Sequence, residues 1–224
     1  MTILAVTGLA REAEIAGTTG VVAVAGGGDG AGLAAKLEAL HGDITGVISI
    51  GLGGGLSPLL KAGAVVVGEA ISFDGPLGQG SKVWPCDTGW RVRLMARIAG
   101  AHQGVVAASD VILADPQTKA ALHARTGALA VDMESHIAAR FAAARGLPFA
   151  ALRVISDDAR HVLPPAALVA MKPDGGIALG RVLWSLAKNP AQLPALIRTG
   201  RGSSKAFKEL LRCRDVCGAG FGGV

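Results

Sequence analysis

The sequence predicts an α/β fold, with one mostly parallel sheet covered by helices on both faces. Three observations predict it. Short runs rich in Val and Ile, such as Thr2–Thr7, Val21–Ala25 and 46–50, alternate with stretches of helical periodicity. The links between them are short and rich in glycine, of which the chain holds 33. Half of the residues are hydrophobic, which suits buried strands and excludes disorder as the main state.

Taken in order, Thr2–Thr7 is a strand and residues 8–16 follow it as a turn and helix. Val21–Ala25 is a second strand, then comes a glycine turn, then a helix whose Leu33, Leu37 and Leu40 recur at helical spacing. A third strand, 46–50, runs into the glycine loop 51–56. Residues 64–72 form a long β-rich stretch, and 73–89 a turn-rich excursion. Helix 90–99, strand 105–108 and helix 116–126 come next. Residues 128–131 read as a short buried strand, and 136–145 as a helix that stops at Gly146. Strand 149–155 completes the alternation, and helices return at 177–187, 191–197 and 203–211. With 224 residues this is one domain with a sizeable core, expected over 1–190, with 191–224 as a basic helical tail.

The charge supports that division. From Arg181 onward eight basic residues face only Glu209 and Asp215, a net +6 within a chain of net +5. The excess suggests an anionic partner surface. Nucleic acid is disfavoured as that partner, because aromatics make up 4% of the chain and only Phe207 interleaves with the tail's charges. No apolar run reaches the ~18 residues of a membrane-spanning helix, and the first residues lack a basic signal-peptide start. Cys86, Cys213 and Cys217 give no disulfide framework and no metal-ligand spacing with the five histidines. The expectation is a cytoplasmic protein without a metal.

The chemistry centres on Val131-Asp132-Met133-Glu134-Ser135, where a strand hands over to a helix. In open α/β sheets ligands bind at the carboxyl ends of strands. Acids there also cap helices, so capping stands as the other reading. Glu12 follows the first strand, the glycine run 51–55 follows the third, and Ser156-Asp157-Asp158 follows 149–155. Four such features at one sheet edge point to a pocket. The glycine run presents amide donors to a ligand, or is simply a tight packing turn. Residues 26–31 satisfy a relaxed dinucleotide fingerprint, which makes an NAD(P)-dependent oxidoreductase one alternative. Against it, that loop follows the second strand, and the next strand ends Ser49-Ile50-Gly51 without an acid for a ribose. His102, His123, His136 and His161 read as solvated or capping. Trp84 and Trp90 flank a turn and could line an apolar entrance or pack in the core.

In combination, the 131–135 motif, the loop 51–56 followed by Lys61-Ala62-Gly63, Ser109-Asp110, and Arg153 to Ala159 resemble the superfamily of purine and uridine phosphorylases and methylthioadenosine-type nucleosidases, over about residues 2–160. The stretches 163–168 and 172–175 and the basic C-terminal helix are similar to its hopanoid-biosynthesis branch. The resemblance implies a three-layer fold with a mixed, mostly parallel central sheet. It implies cleavage of a purine–ribose bond, releasing adenine from adenosylhopane, without a cofactor and in a homo-oligomer. Asp157, helped by Ser156, would hydrogen-bond or protonate the purine at N7, and Glu134 would grip the ribose hydroxyls. Met133 would pack against the sugar, Gly53 and Gly54 would approach the substrate, and Glu12 would activate the attacking water. If phosphate is used, Arg11 and Gly8 would bind it, since Ser49 stands where phosphorylases of the superfamily usually carry an Arg. The tail would meet an anionic inner-membrane surface where the lipid tail of the substrate lies. A non-catalytic nucleoside- or lipid-binding protein on the same fold is the remaining alternative.

Overall fold

The computed structural model describes residues 2–74 and 81–223. Strand β1 (Thr2–Thr7) pairs in parallel with β2 (Val21–Ala25) on one side and β3 (Ile44–Gly55) on the other. The chain continues through β4 (Val65–Asp74), β5 (Ser81–Pro85), β6 (His102–Ala108), β7 (Ala130–Asp132) and β8 (Phe149–Asp157). β8 lies parallel to β3 and antiparallel to β4. β4 pairs in parallel with β6, and β6 in parallel with β7. At its far end β3 meets β7 antiparallel, with Gly54 opposite Val131, so these five strands close into a ring. The sheet is therefore mixed and mostly parallel.

Two sequence expectations change here. The glycine run 51–55 is not a loop, because β3 runs through it to Gly55. A Cβ on Gly53 would lie 3.0 Å from the Val131 carbonyl oxygen, a tight contact that glycine avoids where β3 crowds against β7. The excursion 73–89 contains β5, paired antiparallel with β4 and tied by Ser81 Oγ donating to Asp74 Oδ1 at 2.6 Å. Residues 75–80 of that excursion lie outside the described residues.

The helices are α1 (Ala10–Ala16), α2 (Gly30–Glu38), α3 (Thr88–Arg97), α4 (Pro116–Thr126), α5 (Ser135–Ala144), α6 (Pro165–Leu168), α7 (Leu179–Lys188) and α8 (Leu193–Cys217). Side chains alternate between the faces of a strand. Accordingly Leu4 and Val6 of β1 pack with Leu33 and Leu37 of α2 and Ile137 and Phe141 of α5. Ile3 and Ala5 instead pack with Trp90 and Leu94 of α3 and Leu210 and Cys213 of α8. These are the two outer layers around the sheet.

Of residues 191–197 and 203–211, expected as two helices, 193–197 and 203–211 belong to the single 25-residue α8, and 191–192 to a 3-10 turn before it. Gly202, between those two stretches, serves packing. A Cβ on Gly202 would lie 2.2 Å from the Ser156 carbonyl oxygen, so glycine lets α8 seat against the end of β8. Ala206, Phe207, Leu210, Cys213 and Cys217 form its buried stripe at helical spacing. Burial pushes the Cys213 thiol up to about 12, as expected of a packed rather than a reactive thiol. After α8 the chain returns to α3, where the Trp90 indole donates to the Phe221 carbonyl at 2.9 Å. No helix among the described residues is long and apolar enough to cross a membrane.

Candidate active site

The carboxyl ends of β1, β3, β7 and β8 meet at a cavity of about 260 Å³. Gly8 and Glu12 line it from the β1–α1 junction, and Gly53 and Gly54 from β3. Met133 and Glu134 enter from the β7–α5 junction, and Ser156 and Asp157 from β8. The four sequence features expected at one edge therefore do share one cavity.

Glu12 is buried at 3% exposure and held from three sides. Its Oε2 accepts from the backbone N–H groups of Gly8 and Leu9, and its Oε1 from that of Leu52, all at 2.8 Å. The carboxylate thus caps the start of α1 and also ties that helix to β3, fixing its place at the cavity. Burial raises its pKa above the usual carboxylate range, against the lowering pull of the three amides and of Arg153. Space around it is reserved by Gly51, where a Cβ would lie 2.7 Å from Glu12 Oε2.

At the β7–α5 junction the two acids divide the work. Asp132 caps α5, accepting from the Ser135 N–H at 3.2 Å and the Ser135 hydroxyl at 2.6 Å, and it pairs with the buried Arg153 guanidinium. Arg153 also donates to Ser49 Oγ at 2.5 Å. Glu134 makes no side-chain capping bond and lines the cavity instead. A Cβ on Gly8 would lie 3.1 Å from either Glu134 oxygen, so glycine admits the carboxyl. Burial first, then the charges of Asp132 and Glu12, push the Glu134 pKa up to about 8.

A raised carboxyl pKa opposes folding once the group ionises. From its ordinary value of 4.5 up to about 8 the unfolded chain gives up this proton while the folded one keeps it. The contribution of Glu134 to stability is therefore full below the lower value and is lost as pH rises through the upper one. Wild type is expected to lose several degrees of Tm between pH 5 and pH 8 relative to Glu134→Gln. Parallel Tm curves for the two proteins across that range would refute the shift.

Asp157 has a partner that sequence reading did not find. Lys119 of α4, fully buried, pairs its ammonium with Asp157 Oδ2 and donates to the carbonyls of Asp158 at 3.1 Å and His161 at 3.4 Å. Asp157 Oδ1 accepts from the Ser156 hydroxyl at 2.7 Å. A buried cation thus lies directly against this acid. Nothing in α4 singles Lys119 out, since Thr118, Arg125 and Thr126 share the Leu122 side with it.

The outer wall is apolar, formed by Val111, Ile112, Leu113, Leu163, Leu168 and Met171, with Thr199 and Ser203 of α8 beside them. Sequence reading did not place these last two residues at the site.

A family model described as the phosphorylase superfamily matches residues 6–185. The chain belongs to the phosphorylase superfamily. It is an enzyme of a family that cleaves N-glycosidic bonds. No protein of curated function matches it in sequence. The fold is shared with solved nucleosidases. The 5′-methylthioadenosine/S-adenosylhomocysteine nucleosidase of Streptococcus pneumoniae, solved with a transition-state inhibitor, superposes with a TM-score of 0.61 at 18% identity, covering 95% of this chain and 99% of that one. Futalosine hydrolase of Helicobacter pylori gives 0.60 at 16% identity, covering 95% and 97%. The corresponding nucleosidase of Neisseria meningitidis, with methylthio-immucillin-A, gives 0.59 at 17%, covering 94% and 98%.

Within this phosphorylase-superfamily fold several sequence expectations are corrected. Arg11, expected at a phosphate site, turns away from the cavity and lays its guanidinium 4.4 Å over the Phe207 ring of α8. Next to Glu12 on a helix, its side chain points about 100° further round the axis. Trp90 is fully buried in the core, and Trp84 on β5 borders a separate depression, so neither lines this cavity. The glycine turn at 26–31 is covered by chain. A Cβ on Gly27 would lie 2.4 Å from the Pro173 carbonyl oxygen, which leaves no opening for a pyrophosphate.

Proposed function

We propose that the protein hydrolyses the N-glycosidic bond of a purine nucleoside carrying a bulky apolar 5′ substituent, with adenosylhopane the substrate implied by the sequence resemblance. One observation carries this reading. The cavity lining contains Glu12, Asp132, Glu134 and Asp157, and among the described residues no Lys, Arg or His side chain lines it. Arg153 and Lys119 lie behind the lining, already engaged by Asp132 and Asp157. With both nearby cations already engaged, the described lining has no free cation to compensate a phosphate dianion, whereas a carboxylate such as Glu12 can hold and deprotonate water.

In this reading the attacking water gives its proton to Glu12 as its oxygen bonds to the anomeric carbon. The carbon–nitrogen bond breaks and its electron pair stays on the purine. A proton drawn from solvent is relayed to N7 through Asp157, and the proton taken up by Glu12 returns to solvent after the sugar leaves. Glu134, which keeps its proton up to about 8, holds the ribose hydroxyls, donating to one and accepting from another. Met133 packs on the sugar, and the apolar outer wall takes the 5′ substituent. The nucleosidases that share the fold support water as the acceptor. The same chemistry needs no cofactor.

The test is adenine release from a series of 5′-alkyl adenosines, with and without phosphate. Release is expected without phosphate, with kcat/KM rising along the alkyl series. A strict need for phosphate would overturn hydrolysis. No release from any member would overturn the function.

A further inference from the structure

We propose that α7 docks the protein on an anionic lipid surface beside the mouth of the cavity. α7 buries none of its residues. Val182, Ser185 and Leu186 are half-buried and form its packed edge, where the Ser185 carbonyl accepts from Gln192 Nε2 at 2.7 Å. Leu179, Leu183 and Trp184 face outward at 65%, 61% and 64% exposure, with Ile177 at 62% just before them. At 100° per residue those three side chains share one arc, and Arg181 and Lys188 share the next. Lys188 places its ammonium 5.0 Å over the Trp184 ring. An apolar stripe with an aromatic edge and a basic flank is the pattern of a helix that lies in a membrane interface.

Charge selects the occupant. Between Asp174 and Glu209 the chain has no acidic residue, and Arg181, Lys188, Arg198, Arg201, Lys205 and Lys208 are all exposed. A second copy docking here across a two-fold axis would bring this basic face against itself. An anionic lipid surface accepts both parts, with apolar side chains at the acyl boundary and cations at the headgroups. α7 packs against α6, whose Ala167 and Leu168 line the cavity, so docking would bring the apolar wall to the lipid. What the docking serves rests on the proposed function. The docking itself rests on α7.

The test is flotation of the full chain with phosphatidylcholine vesicles, with and without phosphatidylglycerol, alongside Leu183→Asp and Trp184→Ala. Wild type is expected to float only with the anionic vesicles, and the variants to bind about tenfold more weakly or worse, while release of adenine from a water-soluble 5′-alkyl adenosine stays unchanged. Equal flotation with phosphatidylcholine alone would overturn the anionic assignment, and no flotation with either would overturn the docking. Unchanged vesicle binding by Leu183→Asp, with a fall in its solution mass, would assign the face to a second copy. Vesicle binding without adenine release would sink the function and leave the docking standing.

Discussion

Asp157→Asn is expected to slow adenine release by ~10²–10⁴-fold, the usual worth of a positioned acid–base group, and also to destabilise the protein. The second effect follows from Lys119. Its ammonium is fully buried with Asp157 as its ionic partner, and removing one member of such a pair typically costs about 3–5 kcal/mol. Lys119→Met should cost a similar amount, since it leaves Asp157 buried with only the Ser156 hydroxyl donating to it. The double variant removes both charges from the interior and is expected to recover most of the lost stability and none of the activity. Denaturant unfolding and single-turnover adenine release, measured on all three variants, separate the two roles. Asp157→Asn with wild-type turnover would remove Asp157 from the chemistry. A double variant whose loss of stability equals the sum of the two single losses would mean that the pair is not coupled.

What could be read without coordinates follows from how strands end. A strand of buried Val and Ile must hand its chain to a helix at the sheet edge, so Glu12, Glu134 and Asp157 could be placed at one edge from local pattern alone. Contacts that only the tertiary fold creates were not legible. Lys119 meets a carboxylate 38 residues away, and nothing in its own helix names that partner. The glycines of β3 were read as a loop, and the place of Gly202 inside α8 was not legible, for one reason. Gly53 and Gly202 stand where a neighbouring carbonyl comes too close for a Cβ, and sequence alone cannot tell such a close approach from a turn. Arg11 shows the reverse error. It was expected at a phosphate site because Ser49 stands where phosphorylases of the superfamily usually carry an Arg, whereas its place on α1 turns its side chain away from that of Glu12 and onto Phe207.

Glu12→Gln is expected to lower kcat by ~10²–10⁴-fold, and the reason is more than the lost charge. Both oxygens of Glu12 accept from backbone N–H groups, three in all. In glutamine one of those atoms becomes an NH₂ donor. Whichever way the amide turns, a donor faces either Leu52 N–H or the N–H groups of Gly8 and Leu9. The side chain must shift, and the start of α1 loses part of its tie to β3. Glu12→Asp keeps the acceptors but cannot reach all three amides, so it should fall between Gln and wild type. The pH profile distinguishes a base from a mere tie. With its pKa raised by burial, Glu12 gains its charge only above the ordinary carboxylate range, so kcat/KM should rise with pH there. Glu134, which keeps its proton to about 8, should not be needed for that rise, and Glu134→Gln should retain it while Glu12→Gln loses it. If Glu12→Gln kept the ascending limb, the water would be activated elsewhere and Glu12 would hold only the helix.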